Sequence, residues 1–412
     1  LKKKHFLFIL FIKQAYLPKN FMRSLLVPLV KCKSGDLSDV NNYRAIAIST
    51  ALSKLFEHVI ADAVHTVSDG DRYQFGFKDG HSTALCTSVL KRTVEHFVNR
   101  GSHVFACFVD FSKAFDKVNY WKLFNKLLDD GVDVSIVRVL AFWYSRLEVC
   151  VRWNLTISAS FTTGNGTRQG GVLSPYLFTR YIRDLLNKVE NSQCGCSVGG
   201  TCINVLAYAD DIVLIAPSWR ALQSLLHLLY DCILTLDMVC NAKKSVCMIF
   251  NPKDRAKTVS KTYPLFTVGD MQLEFVAEFR YLGHMITNDL ADDRDIQREV
   301  RNMFFRTNIL VRRFAKCSVQ VKVVLFRAYC LCLYDSGLWK FYNAGSRNKL
   351  MSCYNRCVKI FFGYKRRDSM TQLLAVLGLP SFNTIIVNGD AIFERCYVKC
   401  TNSIITYLRL LG

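Results

Sequence analysis

A chain of 412 residues is too long for one ordinary hydrophobic core and suits two to three lobes at roughly 100–200 residues each. Its composition, 51% hydrophobic and 13% aromatic with only 7 prolines, excludes wholesale disorder. The formal net charge of +21 is the informative number, because a globular chain this basic meets a polyanion, either nucleic acid or an anionic membrane.

The chain opens on Leu1 rather than Met, which reads as a fragment of something longer. Lys2-Lys3-Lys4-His5 followed by the apolar run 6–12 imitates a secretory signal. Lys13 ends that run and no small-residue cleavage pattern follows, so a short buried element is predicted instead. No apolar stretch reaches the ~18–20 residues that span a bilayer. Residues 24–30 and 46–48 are predicted to form a hairpin whose loop, Lys31-Cys32-Lys33-Ser34-Gly35-Asp36, carries lysines. Leu52, Leu55, Phe56 and Val59 recur at helical spacing within 50–68, and a second helix is predicted over 83–99, closed by Gly101.

From 103 to 290 strands and helices alternate. Residues 104–109 are a compact apolar run of strand length, and Trp121, Phe124, Leu127 and Leu128 mark a helix that ends near Gly131. Residues 205–208 and 212–215 flank Ala209-Asp210-Asp211, a hairpin with an acidic tip, and 222–236 are apolar enough for a buried helix. This is an α+β sheet domain. Beyond 290, Ile296, Val300, Met303, Thr307, Leu310, Val311 and Phe314 share one helical face, while Arg294, Arg298, Arg301, Arg312 and Arg313 fall mostly elsewhere. Residues 292–412 hold 20 Lys and Arg against 8 Asp and Glu, a net +12 in under a third of the chain. A basic helical lobe beside an acidic-tipped sheet suits an enzyme that grips a duplex.

The 17 cysteines, odd in number and without paired C-x-x-C, point to a reducing compartment. Cys194/Cys196, Cys330/Cys332, Cys353/Cys357 and Cys396/Cys400 lack histidines at zinc-finger spacing and are predicted to be buried thiols.

Chemistry starts from the acids. Asp110 follows directly on the strand 104–109, and Asp210-Asp211 sit between two others. Alone, Asp210-Asp211 reads as a turn. Three carboxylates brought together at strand ends repel one another unless cations lie between them, and Mg²⁺ takes oxygen ligands while keeping positions open for phosphates. Two such ions, ~3.5–4 Å apart, can clamp the attacking and leaving oxygens of a phosphoryl displacement.

The stretch Phe108-Val109-Asp110-Phe111-Ser112-Lys113-Ala114-Phe115-Asp116-Lys117-Val118 resembles the first catalytic motif of the reverse transcriptases of non-LTR (LINE-like, jockey/CR1-type) retrotransposons. Gly166-Thr167-Arg168-Gln169-Gly170-Gly171-Val172-Leu173-Ser174-Pro175 is similar to their second core motif, and Tyr208-Ala209-Asp210-Asp211 to their catalytic box. Asn42-Tyr43-Arg44-Ala45-Ile46, Gln74-Phe75-Gly76-Phe77 with His81-Ser82-Thr83, Asn241-Ala242-Lys243-Lys244-Ser245 and Tyr281-Leu282-Gly283 complete the series in the same order. The resemblance runs from about residue 17 to 290, and more weakly through 334–339, Tyr354-Asn355-Arg356 and Leu379-Pro380-Ser381-Phe382. These last blocks favour a retrotransposon over a group II intron-type maturase.

The resemblance implies a right-hand polymerase: fingers over 1–102, a palm over 103–290 interleaved with them, a basic thumb over 291–345 and a helical extension over 346–412. It implies that Asp110 and Asp210 bind two magnesium ions, for which manganese can substitute, with Asp211 in support and the Phe111 carbonyl completing one site. Phe115 would stack under the incoming sugar and exclude a 2′-hydroxyl, the group that separates RNA from DNA; core packing is the alternative. Arg44 would hold the triphosphate with its planar fork, and either Lys31 or Lys33 would make the second contact. Gln169 would hydrogen-bond the nucleotide or template beside the close-approach backbone of Gly170 and Gly171. Lys244 would protonate the departing pyrophosphate, unless it is a solvated surface lysine. Arg168 with Tyr281, Leu282 and Gly283 would meet primer and template, and Arg294, Arg298 and Arg301 would track the duplex backbone without reading sequence.

Ala45 stands where proline is usual in the family, and Thr179 and Arg183 replace residues common in its second motif. The expected partners are an RNA template, a DNA primer or target and deoxynucleotides, without a membrane, in nucleus and cytoplasm. An endonuclease domain is expected upstream in the full element, and a catalytically silent remnant that only binds nucleic acid is the alternative reading.

Overall fold

The computed structural model describes residues 2–65, 72–260 and 262–410. The chain runs α1 (Lys2–Gln14), β1 (Arg23–Val30), β2 (Tyr43–Ser49), α2 (Ala51–His65), α3 (Thr83–Asn99) and β3 (Val104–Val109). There follow α4 (Tyr120–Asp129), α5 (Val134–Tyr144), β4 (Glu148–Trp153), β5 (Thr156–Ile157), β6 (Phe161–Thr162) and α6 (Ser174–Asn191). Next come β7 (Cys196–Val198), β8 (Thr201–Ile203), β9 (Val205–Tyr208), β10 (Asp211–Ala216), α7 (Trp219–Thr235), β11 (Val246–Phe250), β12 (Phe266–Val268) and β13 (Met271–Phe275). A last hairpin, β14 (Glu278–Tyr281) and β15 (His284–Thr287), leads into α8 (Asp293–Phe314), α9 (Val319–Cys330), α10 (Ala344–Phe362), α11 (Met370–Leu377), α12 (Phe382–Lys399) and α13 (Ser403–Leu410).

The fold is α+β, with two cores. One unites the first 290 residues. Its centre is a six-stranded sheet in the order β12-β13-β11-β3-β10-β9, with α3, α6 and α7 packed on it. Every residue of β3 is buried, as a central strand covered on both faces requires. Phe108 of β3 meets Phe279 and Tyr281 of β14 at ring distances of 4.7 and 5.3 Å, so the last hairpin closes over the sheet. A second sheet runs β2-β1-β4-β5, with β6 also on β4. Helix α1 is a core helix, because Phe8 packs 5.2 Å from Phe56 and Phe11 5.3 Å from Phe21. Among the described residues no single helix is long and apolar enough to cross a membrane.

Local sequence explains the starts and stops. The side chain of Ser82 accepts from the Leu85 amide and opens α3, and Asn119 does the same for α4 through Trp121 and Lys122. Gly363, at φ 80°, closes α10 in a left-handed conformation that costs a glycine little. The expected helix over 50–68 is α2 as far as His65; residues 66–68 lie outside the described residues.

In the second core Ile296, Met303 and Leu310 of α8 pack with Phe326 of α9 and Tyr354, Val358 and Phe361 of α10. Residues 346–412 divide between the two cores. Helices α10 and α11 and the start of α12 belong to the second core, whereas Phe393, Tyr397, Ile404, Ile405 and Leu408 return to the first. Asn402 anchors this return by donating to the Arg72 carbonyl at 2.8 Å. All 17 cysteines are free thiols; of the four pairs predicted to be buried, Cys353/Cys357 are, while Cys396 is exposed.

Candidate active site

The central strand ends where its apolar residues end. In the β3–β10 register Val109 faces Ile212, so Asp110 emerges at the same sheet edge as Asp210 and Asp211. One step further the same register sets Asp110 opposite Asp211, and residues so placed have Cβ atoms ~4.5–5.5 Å apart. Burial and the charge on Asp110 raise the pKa of Asp210. Asp211 is pushed up to about 6 by desolvation in the cleft and then by Asp210 and Asp110. Because the Asp211 side chain still reaches solvent, the repulsion between like charges is the firmer cause.

Two clasps hold these residues. The tip of the β9–β10 hairpin bends through Ala209 at φ 58°, a conformation that is strained for any residue with a Cβ. Gln74 holds it from the backbone: its Oε1 accepts from the Ala209 amide at 2.9 Å and its Nε2 donates to the Ala209 carbonyl at 3.3 Å. The segment around Gln74 runs beside β9 as an extra strand, with the Phe75 amide donating to the Ala207 carbonyl at 2.7 Å. Gly76 permits this approach, since a Cβ there would lie 2.5 Å from the Ala209 amide nitrogen. The role of Gln74 escaped the sequence reading; a non-glycine residue at the tight acidic tip was the available signal.

The second clasp fixes Asp110. Its amide donates to Ser245 Oγ at 3.0 Å, and its carbonyl accepts from the Asn241 amide at 2.8 Å. The Ser112 amide donates to the Val239 carbonyl at 2.9 Å. This pairing sets Phe111 opposite Cys240 and makes no use of the Phe111 carbonyl.

Cations face the acids. Arg44, on β2, is close enough to Asp210 and Asp211 to favour their ionised forms. The pKa of Lys31 is lowered by desolvation and then by Lys244, Arg44 and Lys113, against a smaller opposing effect of Asp116. Asn42 folds the loop that carries Lys31 by accepting from the Cys32 amide and donating to its carbonyl, both at 2.9 Å. Lys33 lies exposed farther along that loop. Phe115 stacks on Phe178 with centroids 4.3 Å apart and planes 19° from parallel, which fixes its ring. Gln169 donates from Nε2 to Asp116 Oδ1 at 3.4 Å, and its carbonyl accepts from the Ala47 amide at 2.7 Å. Gly170, at φ 102°, lets the loop lie against β2, where a Cβ would sit 3.0 Å from the Ala47 carbonyl.

Three expectations are corrected. Arg168 is buried rather than turned toward a template: it pairs with Glu57 and lies 4.6 Å over the Trp143 ring. Arg298 is drawn inward by Asp295, Glu299 and Asp335. Tyr281 is a buried anchor whose hydroxyl lies 3.4 Å from Cys86 Sγ. The turn itself, Leu282 at φ 47° and Gly283 at φ 93°, is what the hairpin presents, and two left-handed residues match a type I′ turn. Arg301 is exposed, and Arg294 is exposed beside Glu278 at 3.4 Å. The unusual Arg183 is accommodated by an ion pair to Asp130, and Thr179 donates to the Tyr176 carbonyl at 2.8 Å.

Acids at converging strand ends, cations opposite and a basic helical lobe beyond them define a right-hand polymerase. The reverse transcriptase (RNA-dependent DNA polymerase) family matches residues 31–286, more than half of the chain, and the chain belongs to that family. It is 26% identical over 272 residues to the retrovirus-related Pol polyprotein from type-1 retrotransposable element R2 of Popillia japonica, a match covering 65% of this chain and 38% of that protein. It is 24% identical over 341 residues to the RNA-directed DNA polymerase from mobile element jockey of Drosophila funebris, over 80% of this chain and 36% of that protein. Apo telomerase from Candida tropicalis is a similar solved structure, with a TM-score of 0.47 at 11% identity over 94% of this chain and 69% of that one. The chain thus spans under two fifths of either retrotransposon relative, and both agree with the non-LTR resemblance carried by the motifs.

Proposed function

We propose that this chain is the polymerase of a non-LTR retrotransposon, copying an RNA template into DNA by adding deoxynucleotides to a primer 3′-hydroxyl in nucleus and cytoplasm. What supports this is the strand register that brings Asp110 to the sheet end beside Asp210 and Asp211, with Arg44 close to both of the latter. The donor set is all oxygen and carries excess negative charge, which fits two magnesium ions held by the three carboxylates and the Phe111 carbonyl. When bound, such ions supply Lewis-acid activation of the primer hydroxyl and neutralise charge on the phosphates.

The chain's own groups do the rest. Arg44 and Lys31, rather than Lys33, bind the triphosphate. Lys244, exposed beside Lys31, donates a proton to the departing pyrophosphate. Gln169 orients the nucleotide from a loop pinned to β2, and the Leu282–Gly283 turn supports the primer end. Arg294 and Arg301 follow the duplex backbone. Primer extension on RNA with deoxynucleotides and Mg²⁺ tests the reading; RNA binding with no extension would select the silent remnant.

Phe115→Val tests sugar selection. Opening the space beside a ring held by Phe178 is expected to raise ribonucleotide incorporation, relative to deoxynucleotide, by roughly 10-fold or more, because exclusion here rests on a steric clash. A loss of stability with unchanged sugar preference would return Phe115 to core packing.

A further inference from the structure

Six charged side chains meet in a buried hub where palm, last hairpin and thumb join. Lys91 of α3 pairs with Asp292, just before α8, and donates to the Leu338 carbonyl at 2.8 Å. His284, the first residue of β15, lies between two carboxylates, its Nε2 3.4 Å from Asp292 and its Nδ1 3.2 Å from Asp295. Asp295 accepts from the Met285 amide at 3.0 Å, from Trp339 Nε1 at 2.8 Å and from Arg298 Nε at 2.7 Å. Asp292 accepts from the amides of Lys340 and Phe341 at 2.8 and 3.0 Å. His284, Asp292 and Asp295 are each about 1% exposed or less. His284, Asp295 and Asp335 are close enough to hold a metal ion, but Arg298 already bridges the two carboxylates and supplies the cation.

We propose that His284 is a positioning residue of the polymerase, holding the Leu282–Gly283 turn in register with thumb helix α8, so that the thumb's grip on the duplex sets the place of the primer end. This rests on the polymerase reading given above. The connection is short. His284 directly follows the turn, its backbone neighbour Met285 bonds to α8, and the same two aspartates hold the 339–341 segment beneath the thumb.

The charge state of His284 matters because removing its proton leaves Asp292, Asp295 and Asp335 with Lys91, with Arg298, which Glu299 shares, and with Arg280 near Asp335. Burial lowers the imidazole pKa, but Asp292 and Asp295 outweigh it and the net shift is upward. The coupling is therefore complete below the ordinary histidine pKa and is lost as pH rises through the elevated value.

The test uses the whole chain and His284→Gln. Amide hydrogen exchange in 278–287 and 335–341 is expected to rise ~5-fold or more in the variant, with α7 unchanged. DNA made per primer-binding event should shorten by about the same factor, while the nucleotide KM stays within roughly twofold. Product length from the wild type should also fall as pH rises, and the variant should lack that dependence. Unchanged exchange in both segments, or an altered nucleotide KM with full-length products, overturns the proposal. If neither protein extends a primer, the polymerase reading fails while the exchange measurement still decides the hub. If His284→Gln does not fold, Asp335→Asn, on the partly exposed side of the hub, is expected to give the same exchange pattern, and its absence overturns the proposal.

Discussion

Asp210→Asn is expected to lose primer extension by on the order of 10³-fold or more, while binding an RNA–DNA duplex within about threefold of the wild type. The substitution keeps the size of the side chain and the hairpin backbone, which Gln74 and Gly76 hold independently of the carboxylate. What it removes is one negative charge from a trio that repels itself, since Asp110 and Asp210 both help raise the pKa of Asp211. A carboxyl whose pKa is raised by the fold costs stability once ionised, so the metal-free variant should be at least as stable as the wild type at neutral pH. Added Mg²⁺ should raise the melting temperature of the wild type more than that of the variant, because only the wild type retains the full donor set. Extension within tenfold of the wild type would remove Asp210 from the chemistry. An equal response of both proteins to Mg²⁺ would remove it from the metal site.

The palm was legible because its chemistry lies where hydrophobic pattern changes to charge. Residues 104–109 could only be a buried strand, so Asp110 had to emerge at its end, and the apolar runs around Asp210-Asp211 had to pair. The loop carrying Lys31 was legible for the same reason. What stayed hidden was which charges the fold neutralises. Basic residues in 292–412 count alike in a sequence, yet Arg298 and Arg306 are held by acids of their own helix while Arg301 faces solvent. Arg168 misled most, because its partner Glu57 is 111 residues away on α2 and nothing local marks the pair. The clasp of Gln74 on Ala209 was hidden in the same way, across 135 residues. The division of 346–412 between two cores depends on α12 being long enough to cross from one to the other, which periodicity cannot reveal.

Glu57→Ala should cost ~3–5 kcal/mol of stability, the range for removing one partner of a buried ion pair. Glu57 and Arg168 are 0% and 5% exposed, and the carboxylate also accepts from the amides of Val172 and Leu173. Alanine leaves the Arg168 guanidinium buried over Trp143, with neutral hydroxyls such as Ser49 Oγ at 3.1 Å and Ser24 Oγ at 3.5 Å in place of a charge. It also strips the amides that lead into α6 of their acceptor, each worth roughly 1–3 kcal/mol when left unpaired. The double variant Glu57→Gln with Arg168→Met should be milder than Glu57→Ala alone. Glutamine keeps an acceptor for the amides, and methionine leaves no charge to strand. Urea midpoints of the three proteins decide the order. The same pair bears on activity, because Gln169 adjoins Arg168 and is held to β2 by the Ala47 amide, so loosening Arg168 should raise the nucleotide KM before it weakens RNA binding. If Arg168→Met instead leaves stability and KM intact and weakens RNA binding tenfold, Arg168 belongs to the template surface after all, and its burial against Glu57 describes only one of two positions.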